Sequence, residues 1–166
     1  GNRLANQGHL ADLIIGNNVY AHVPDINDFT RGLKSSLKPG GTITLEFPHL
    51  LRLIEHCQFD TVYHEHFSYL SLDIVCGIFE AADLRVFDFL ELPTHGGSLR
   101  VFGCHAGDEL KTSLSVDAML AKESECGLKS IDSYLKFQSR VNLIKDDFLT
   151  FLIEQKRAGN KVAAYG

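Results

Sequence analysis

An α/β fold is what this sequence predicts, on three observations. Ala11-Asp12-Leu13-Ile14-Ile15-Gly16 and Thr42-Ile43-Thr44-Leu45-Glu46-Phe47 are short apolar runs bounded by turn residues, the pattern of buried parallel strands. Between them, Asp25 to Leu37 sets Ile26, Phe29, Leu33 and Leu37 at helical spacing, which makes one strand–helix–strand unit. Further on, two strand-like runs are joined by a connection short enough for an antiparallel pair, and a helical tail follows.

Taken in order, the first strand ends at Gly16, and Asn17-Asn18-Val19-Tyr20-Ala21-His22-Val23-Pro24 follows its carboxyl end, where open α/β sheets bind ligands. Lys38-Pro39-Gly40-Gly41 stops the helix before the second strand. Leu72 to Ala82 reads as another helix. Leu84 to Leu90 and Ser98 to Gly103 read as the antiparallel strands, joined by Leu92-Pro93-Thr94-His95-Gly96-Gly97. From about Ser115 to Arg157 the pattern is helical, with Val141, Ile144, Phe148, Phe151 and Leu152 as one apolar stripe read as packing surface.

Composition bounds the function. The 166 residues are 45% hydrophobic and 22% charged, ordinary for one globular domain or a domain plus part of another. A net charge of -5 offers no basic footprint for nucleic acid. No apolar run approaches the roughly 20 residues that span a bilayer, so no membrane partner is expected. Cys57, Cys76, Cys104 and Cys126 are widely spaced without a Cys-x-x-Cys pair and read as reduced thiols of a cytoplasmic protein. The chain opens on Gly1-Asn2-Arg3 and closes on a strand-like Val162-Ala163-Ala164-Tyr165-Gly166, which together suggest a piece of a longer protein.

The chemistry concentrates in Thr61-Val62-Tyr63-His64-Glu65-His66-Phe67-Ser68-Tyr69-Leu70-Ser71, which gathers two imidazoles, a carboxylate and two phenols. A core has no use for this mixture, because each buried polar group needs a partner or costs free energy. A solvated loop has little use for three aromatic rings. A cleft uses both, since aromatic walls exclude water while titratable groups move protons.

The run Asp12 to Val23, then Leu37-Lys38-Pro39-Gly40-Gly41 and a strand, resembles the second half of a class I S-adenosylmethionine-dependent methyltransferase. Glu46-Phe47-Pro48-His49, Tyr63-His64-Glu65-His66-Phe67-Ser68-Tyr69 and His95-Gly96-Gly97-Ser98-Leu99-Arg100 narrow the resemblance to the sugar C-methyltransferases acting on nucleotide-linked keto-deoxysugars. The resemblance implies a Rossmann-like sheet, present here as its carboxyl half (residues 1–110). It further implies a helical connector (111–158) and the first strand of a following Rossmann-like domain (159–166). The family's cysteine-rich zinc region and the acidic, glycine-rich turn that holds S-adenosylmethionine have no counterpart in these residues. The expectation is therefore an incomplete, inactive fragment with weak donor binding, any zinc belonging to the absent amino-terminal region.

Methylating a carbon next to a ketone needs a base for the α-proton and a donor for the enolate oxygen. Histidine suits the first role, its ordinary pKa of about 6.5 lying near working pH. By resemblance His66 is the base, Glu65 orients an imidazole or the sugar, and Tyr63 and His22 bind substrate or donate to the oxyanion. Either His64 or His66 could instead cap a helix or bond to backbone. Asn18 could contact the amino-acid portion of S-adenosylmethionine or merely end its strand. His95, Gly96, Gly97 and Ser98 with Arg100 could wrap the phosphate or sugar of the nucleotide-sugar substrate, or form a plain hairpin turn. His64-Glu65-His66 on a strand could chelate a metal as cupin-like sites do, but the α/β pattern around it argues for no metal. His9, His49, His56 and His105 receive no role. The competing classes are a non-catalytic Rossmann-like binding module, a methyltransferase of another small molecule, and a sugar epimerase or reductase. The last would need a Gly-x-Gly-x-x-Gly turn that the sequence lacks.

Overall fold

The computed structural model describes residues 2–165. In chain order these form α1 (Asn2–Asn6), β1 (Ala11–Asn17), a 3-10 turn (Tyr20–His22), α2 (Ile26–Ser36) and β2 (Leu37–Pro48). Then come α3 (Leu50–Glu55), a second 3-10 turn (Phe59–Thr61), α4 (Leu72–Glu80) and β3 (Leu84–Leu92). A third 3-10 turn (Thr94–Gly96), β4 (Ser98–His105), α5 (Leu114–Glu125) and α6 (Ile131–Arg157) complete the order. Two compact units divide after Leu128.

The first unit holds one four-stranded sheet in the order β1-β2-β4-β3. β1 and β2 are parallel through the α2 crossover, with Ile14 opposite Ile43, while β4 runs antiparallel to both β2 and β3. α2 starts where the Asp25 side chain accepts the Asp28 N–H at 2.8 Å, a helix cap. α4 starts in the same way at Ser71, whose hydroxyl accepts from Ile74 N–H at 3.3 Å.

Alternation along β2 puts Ile43, Leu45 and Phe47 on one face, all fully buried, beside Leu99 and Val101 of β4. α4 adds Leu72, Val75 and Phe79 to this core at helical spacing. Gly103 of β4 is required here, because a Cβ on it would stand 2.3 Å from a Phe79 ring carbon.

β1 departs from the buried strand of its local pattern and agrees with the exposed apolar edge that the resemblance implies when the first strands of the sheet are not among these residues. It is an edge strand, with Leu13 and Ile15 53% and 64% exposed, so its apolar character is not consumed within the described residues. Val116 and Met119 of α5 are in the core of the first unit, so this helix belongs to that unit. The continuous helical pattern from Ser115 to Arg157 is two helices, separated by Gly127 at φ 76° and restarted by Ser130, which accepts from Asp132 N–H.

The second unit is α6 and the residues after it. Among the described residues α6 has no buried side chain, and Ile144, Phe148 and Phe151 of its apolar stripe are exposed. Residues 161–165, expected as a strand, pair with no other strand among the described residues, and Gly166 lies outside them. No helix of the described residues is long and apolar enough to cross a membrane.

The four cysteines are free. Burial pushes the Cys76 thiol up to about 11 and raises Cys104 as well, which keeps both protonated and unreactive near neutral pH.

Candidate active site

The site begins where β1 ends. Asn18 takes a left-handed φ of 53° and donates its N–H to the Glu46 carbonyl at 2.9 Å, turning the chain out of the sheet. Its side-chain Oδ1 is buried without a partner in the structure. Tyr20 then anchors the 3-10 turn. Its ring is fully buried against Phe29, Phe47 and Phe79, and its hydroxyl is 2.7 Å from Thr30 Oγ1. Burial pushes its phenol up to about 12, so Tyr20 is a fixed post and not an acid.

That post sets Ala21, whose carbonyl accepts two N–H groups, from Phe67 at 2.9 Å and from Ser68 at 3.2 Å. These bonds bring the two sequence-predicted stretches together. The His22 and His66 rings lie edge-on with centroids 4.8 Å apart. Tyr63 tilts over His66 at 4.4 Å, and Tyr69 closes the group at 5.9 Å, edge-on. Tyr63 is 44% exposed, so the cluster opens to solvent on that side.

His66 has a definite tautomer in this setting. Its Nδ1 is 3.0 Å from the Thr61 carbonyl oxygen, which can only accept, so Nδ1 carries the proton. In the neutral ring Nε2 is then the bare nitrogen, and it faces the Tyr63 hydroxyl at a long 3.4 Å. The backbone bond foreseen as an alternative role is therefore present, and it is what leaves Nε2 able to take a proton.

His64 and Glu65 are exposed on the turn between Tyr63 and His66. The segment is a succession of turns and not a strand, so the alternation that a cupin-like chelate needs is missing. No group of three or more metal-ligating side chains occurs among the described residues.

The His95–Ser98 turn is tied to the chain rather than left open. His95 takes a left-handed φ of 54°, Gly97 N–H and the Ser98 hydroxyl both donate to the Thr94 carbonyl, and Gln58 Nε2 donates to Gly96 O at 2.8 Å. A Cβ on Gly97 would strike the Arg52 side chain at 2.7 Å, so this glycine serves packing. Arg100 is held by buried Glu46, Nη2 to Oε2 at 2.6 Å, while Thr94 Oγ1 donates to Glu46 Oε1 at 3.0 Å. His95 stands outside the His22–His66 ring group among the described residues.

The Arg100 bond holds the Glu46 carboxyl below its usual 4.5, against the opposing effect of burial. A depressed carboxylate contributes stability that is full above the unfolded value and lost as pH falls through the folded one. The stability gap between the parent and Glu46→Gln, measured by urea unfolding, should therefore be present at pH 7 and shrink as pH drops below 4.5. A gap independent of pH would disprove the assignment.

Sequence reasoning gives no role to Tyr69, to the Ala21 and Thr61 carbonyls, or to His49. His49 is 1% exposed and its Nε2 is 2.7 Å from Glu123 Oε1. Backbone acceptors carry no side-chain signal, and the His49–Glu123 pair is separated by 74 residues.

A family model described as a methyltransferase domain matches residues 3–88, and one described as a C-methyltransferase C-terminal domain matches residues 93–166. The C-methyltransferase NovU of Streptomyces niveus is 36% identical over 166 residues, which is 100% of this chain and 40% of that protein. The chain thus spans about two fifths of the length of the curated relative it matches. Among solved structures, the complex of the Haloferax volcanii Trm112 methyltransferase activator with its methyltransferase aligns at 15% identity and a TM-score of 0.49, covering 58% of this chain and 55% of that one. An O-methyltransferase family protein from Burkholderia thailandensis aligns at 15% identity and a TM-score of 0.44, covering 65% and 34%. On the two family models and the relative, the chain belongs to the C-methyltransferase family.

Proposed function

We propose that this chain is part of an S-adenosylmethionine-dependent C-methyltransferase acting on a nucleotide-linked keto-deoxysugar in the cytoplasm. In this reading its first unit is the carboxyl half of the methyltransferase domain, and residues 159–166 open a following Rossmann-like domain. The observation that carries the proposal is the His22–Tyr63–His66–Tyr69 ring group around a bare His66 Nε2. The sugar class rests on the motif resemblance.

His66 Nε2 takes the proton from the carbon next to the ketone, and the electron pair of that C–H bond delocalises onto the ketone oxygen. The Tyr63 hydroxyl and the His22 ring lie beside His66 and donate to that oxygen as its charge grows. Glu65, exposed on the same turn, meets the sugar hydroxyls. The His95–Gly96–Gly97–Ser98 turn is the nucleotide-sugar wall, and Arg100 supports it through Glu46 and Thr94. When bound, the donor supplies an electrophilic methyl group. The buried, unpartnered Asn18 Oδ1 at the carboxyl end of β1 fits it, as an acceptor for an N–H of its amino-acid portion.

The test is transfer of a trideuterated methyl group from labelled donor to a nucleotide-linked keto-deoxysugar by the full-length protein. Mass spectrometry and carbon NMR should place the label on carbon adjacent to the ketone. Label on oxygen or nitrogen, or none on any such sugar, would overturn the proposal.

A further inference from the structure

We propose that Glu123 is a positioning residue for the His66 site, closing the neck of the excursion that carries the ring group. This rests on the reading of His66 as the base. Glu123 lies on α5 in a stripe with Val116 and Met119, where an apolar side chain would satisfy packing, and yet a carboxylate only 2% exposed occupies the position.

Its partners lie at one place. Oε1 accepts from Leu72 N–H at 2.7 Å and from His49 Nε2 at 2.7 Å, and Oε2 accepts from Asp73 N–H at 2.9 Å. Leu72 and Asp73 open α4, and their amides are among those a helix leaves unpaired at its start. His49 is the residue at which the chain leaves β2. It forms a bridge with Leu70, and Leu50 N–H donates to Leu70 O at 2.9 Å, so departure and return meet side by side. The loop between, which carries Tyr63, His66 and Tyr69, is held at this neck and at the Ala21 carbonyl, with Leu51 in the core and Gln58 bonded to Gly96 O on the way. His49 N–H also donates to Gly97 O at 3.0 Å, which joins the His95–Ser98 turn to the same point.

The carboxylate is matched to its task. Three donors converge on two oxygens, so glutamine in its place would turn an N–H₂ toward at least one donor. A half-satisfied buried network is worse than none, and the strain would fall on the loop, since the strands have their own ladders. Glu123 lies in the stretch that matches the C-methyltransferase C-terminal domain, whereas His22, Tyr63 and His66 lie in the stretch that matches the methyltransferase domain. The later part of the sequence thus holds the geometry of the earlier part.

The experiment uses the full-length protein and two readouts. One is washout of the α-proton of the keto-sugar nucleotide into deuterated water. The other is amide exchange by mass spectrometry in residues 56–71 against residues 99–104. Glu123→Gln should lower the washout kcat roughly ten- to a hundredfold with a nearly unchanged KM, as misplacement of a catalytic group does. Exchange should quicken in 56–71 and stay at the parent rate in 99–104. Should Glu123→Gln fail to fold, His49→Leu and His49→Gln carry the test. Leucine deletes the donor and should reproduce the loss, while glutamine keeps an N–H near the position of Nε2 and should restore washout. Parent-like washout and parent-like exchange in 56–71 would overturn the proposal, as would equal acceleration in 99–104. If the parent itself shows no washout, the base reading falls, and the amide exchange alone still decides whether Glu123 closes the neck.

Discussion

His66→Asn should slow α-proton exchange of the full-length protein by about 10²–10⁴-fold, the usual range for loss of a general base. Asparagine is the informative replacement because its side-chain amide N–H₂ can stand where Nδ1 stands and keep the 3.0 Å bond to the Thr61 carbonyl. The loop should then hold its place, and nucleotide-sugar affinity should stay close to the parent value. What is lost is Nε2, the bare nitrogen facing Tyr63. Deuterium incorporation followed by NMR is the measurement. An unaltered rate would remove His66 from the reaction and direct attention to His22, whose ring is 4.8 Å away, or to His64.

The second large effect is on folding. Phe79→Ala should destabilise the protein by about 3–5 kcal/mol, read as a shift of the urea unfolding midpoint. The ring is fully buried, stands edge-on to Tyr20 with centroids 6.4 Å apart and lies directly over Gly103. Its removal opens a cavity that neither neighbour can fill, because Tyr20 is tied to Thr30 and Gly103 has no side chain. Tyr20 also fixes the turn that bears His22, so activity should fall along with stability. A loss under 1 kcal/mol would mean that the core around the sheet relaxes where its packing says it cannot.

Much of the fold is legible in the residues because its signals are local. Ile26, Phe29 and Leu33 announce α2, Asp25 marks its start, and alternation from Thr42 to Phe47 assigns inner and outer faces of β2. The exposure of β1 follows only from the resemblance, whose first strands are not among these residues. It is not legible in the strand's own residues, since Leu13 and Ile15 look the same in the middle of a sheet as at its edge. Nor is the insertion of β4 between β2 and β3, which is decided by long-range packing of Leu99 and Val101. For the site, the side chains of Tyr63, His66 and His22 stand out by type. What orders them does not, because it consists of two carbonyl oxygens and of a carboxylate distant in sequence. At the turn after β3, Gly96-Gly97 and Arg100 stand out by type, while the side chains they meet, Gln58, Arg52 and Glu46, are distant in sequence and do not.

The doubly accepting carbonyl of Ala21 has a consequence for how this site tolerates substitution. The spacing of the two imidazoles is written in peptide groups, so exchanging the side chains of Phe67 or Ser68 leaves both N–H donors in place. Phe67, 60% exposed, is free to vary in size and polarity without moving His66, and proline is the replacement that deletes its donor outright. Mutational scanning would record a permissive surface position at the point where the chain registers the His66 turn against the His22 turn. At this contact the spacing is insulated from drift in the side chains of residues 67 and 68 and open to attack through their peptide groups.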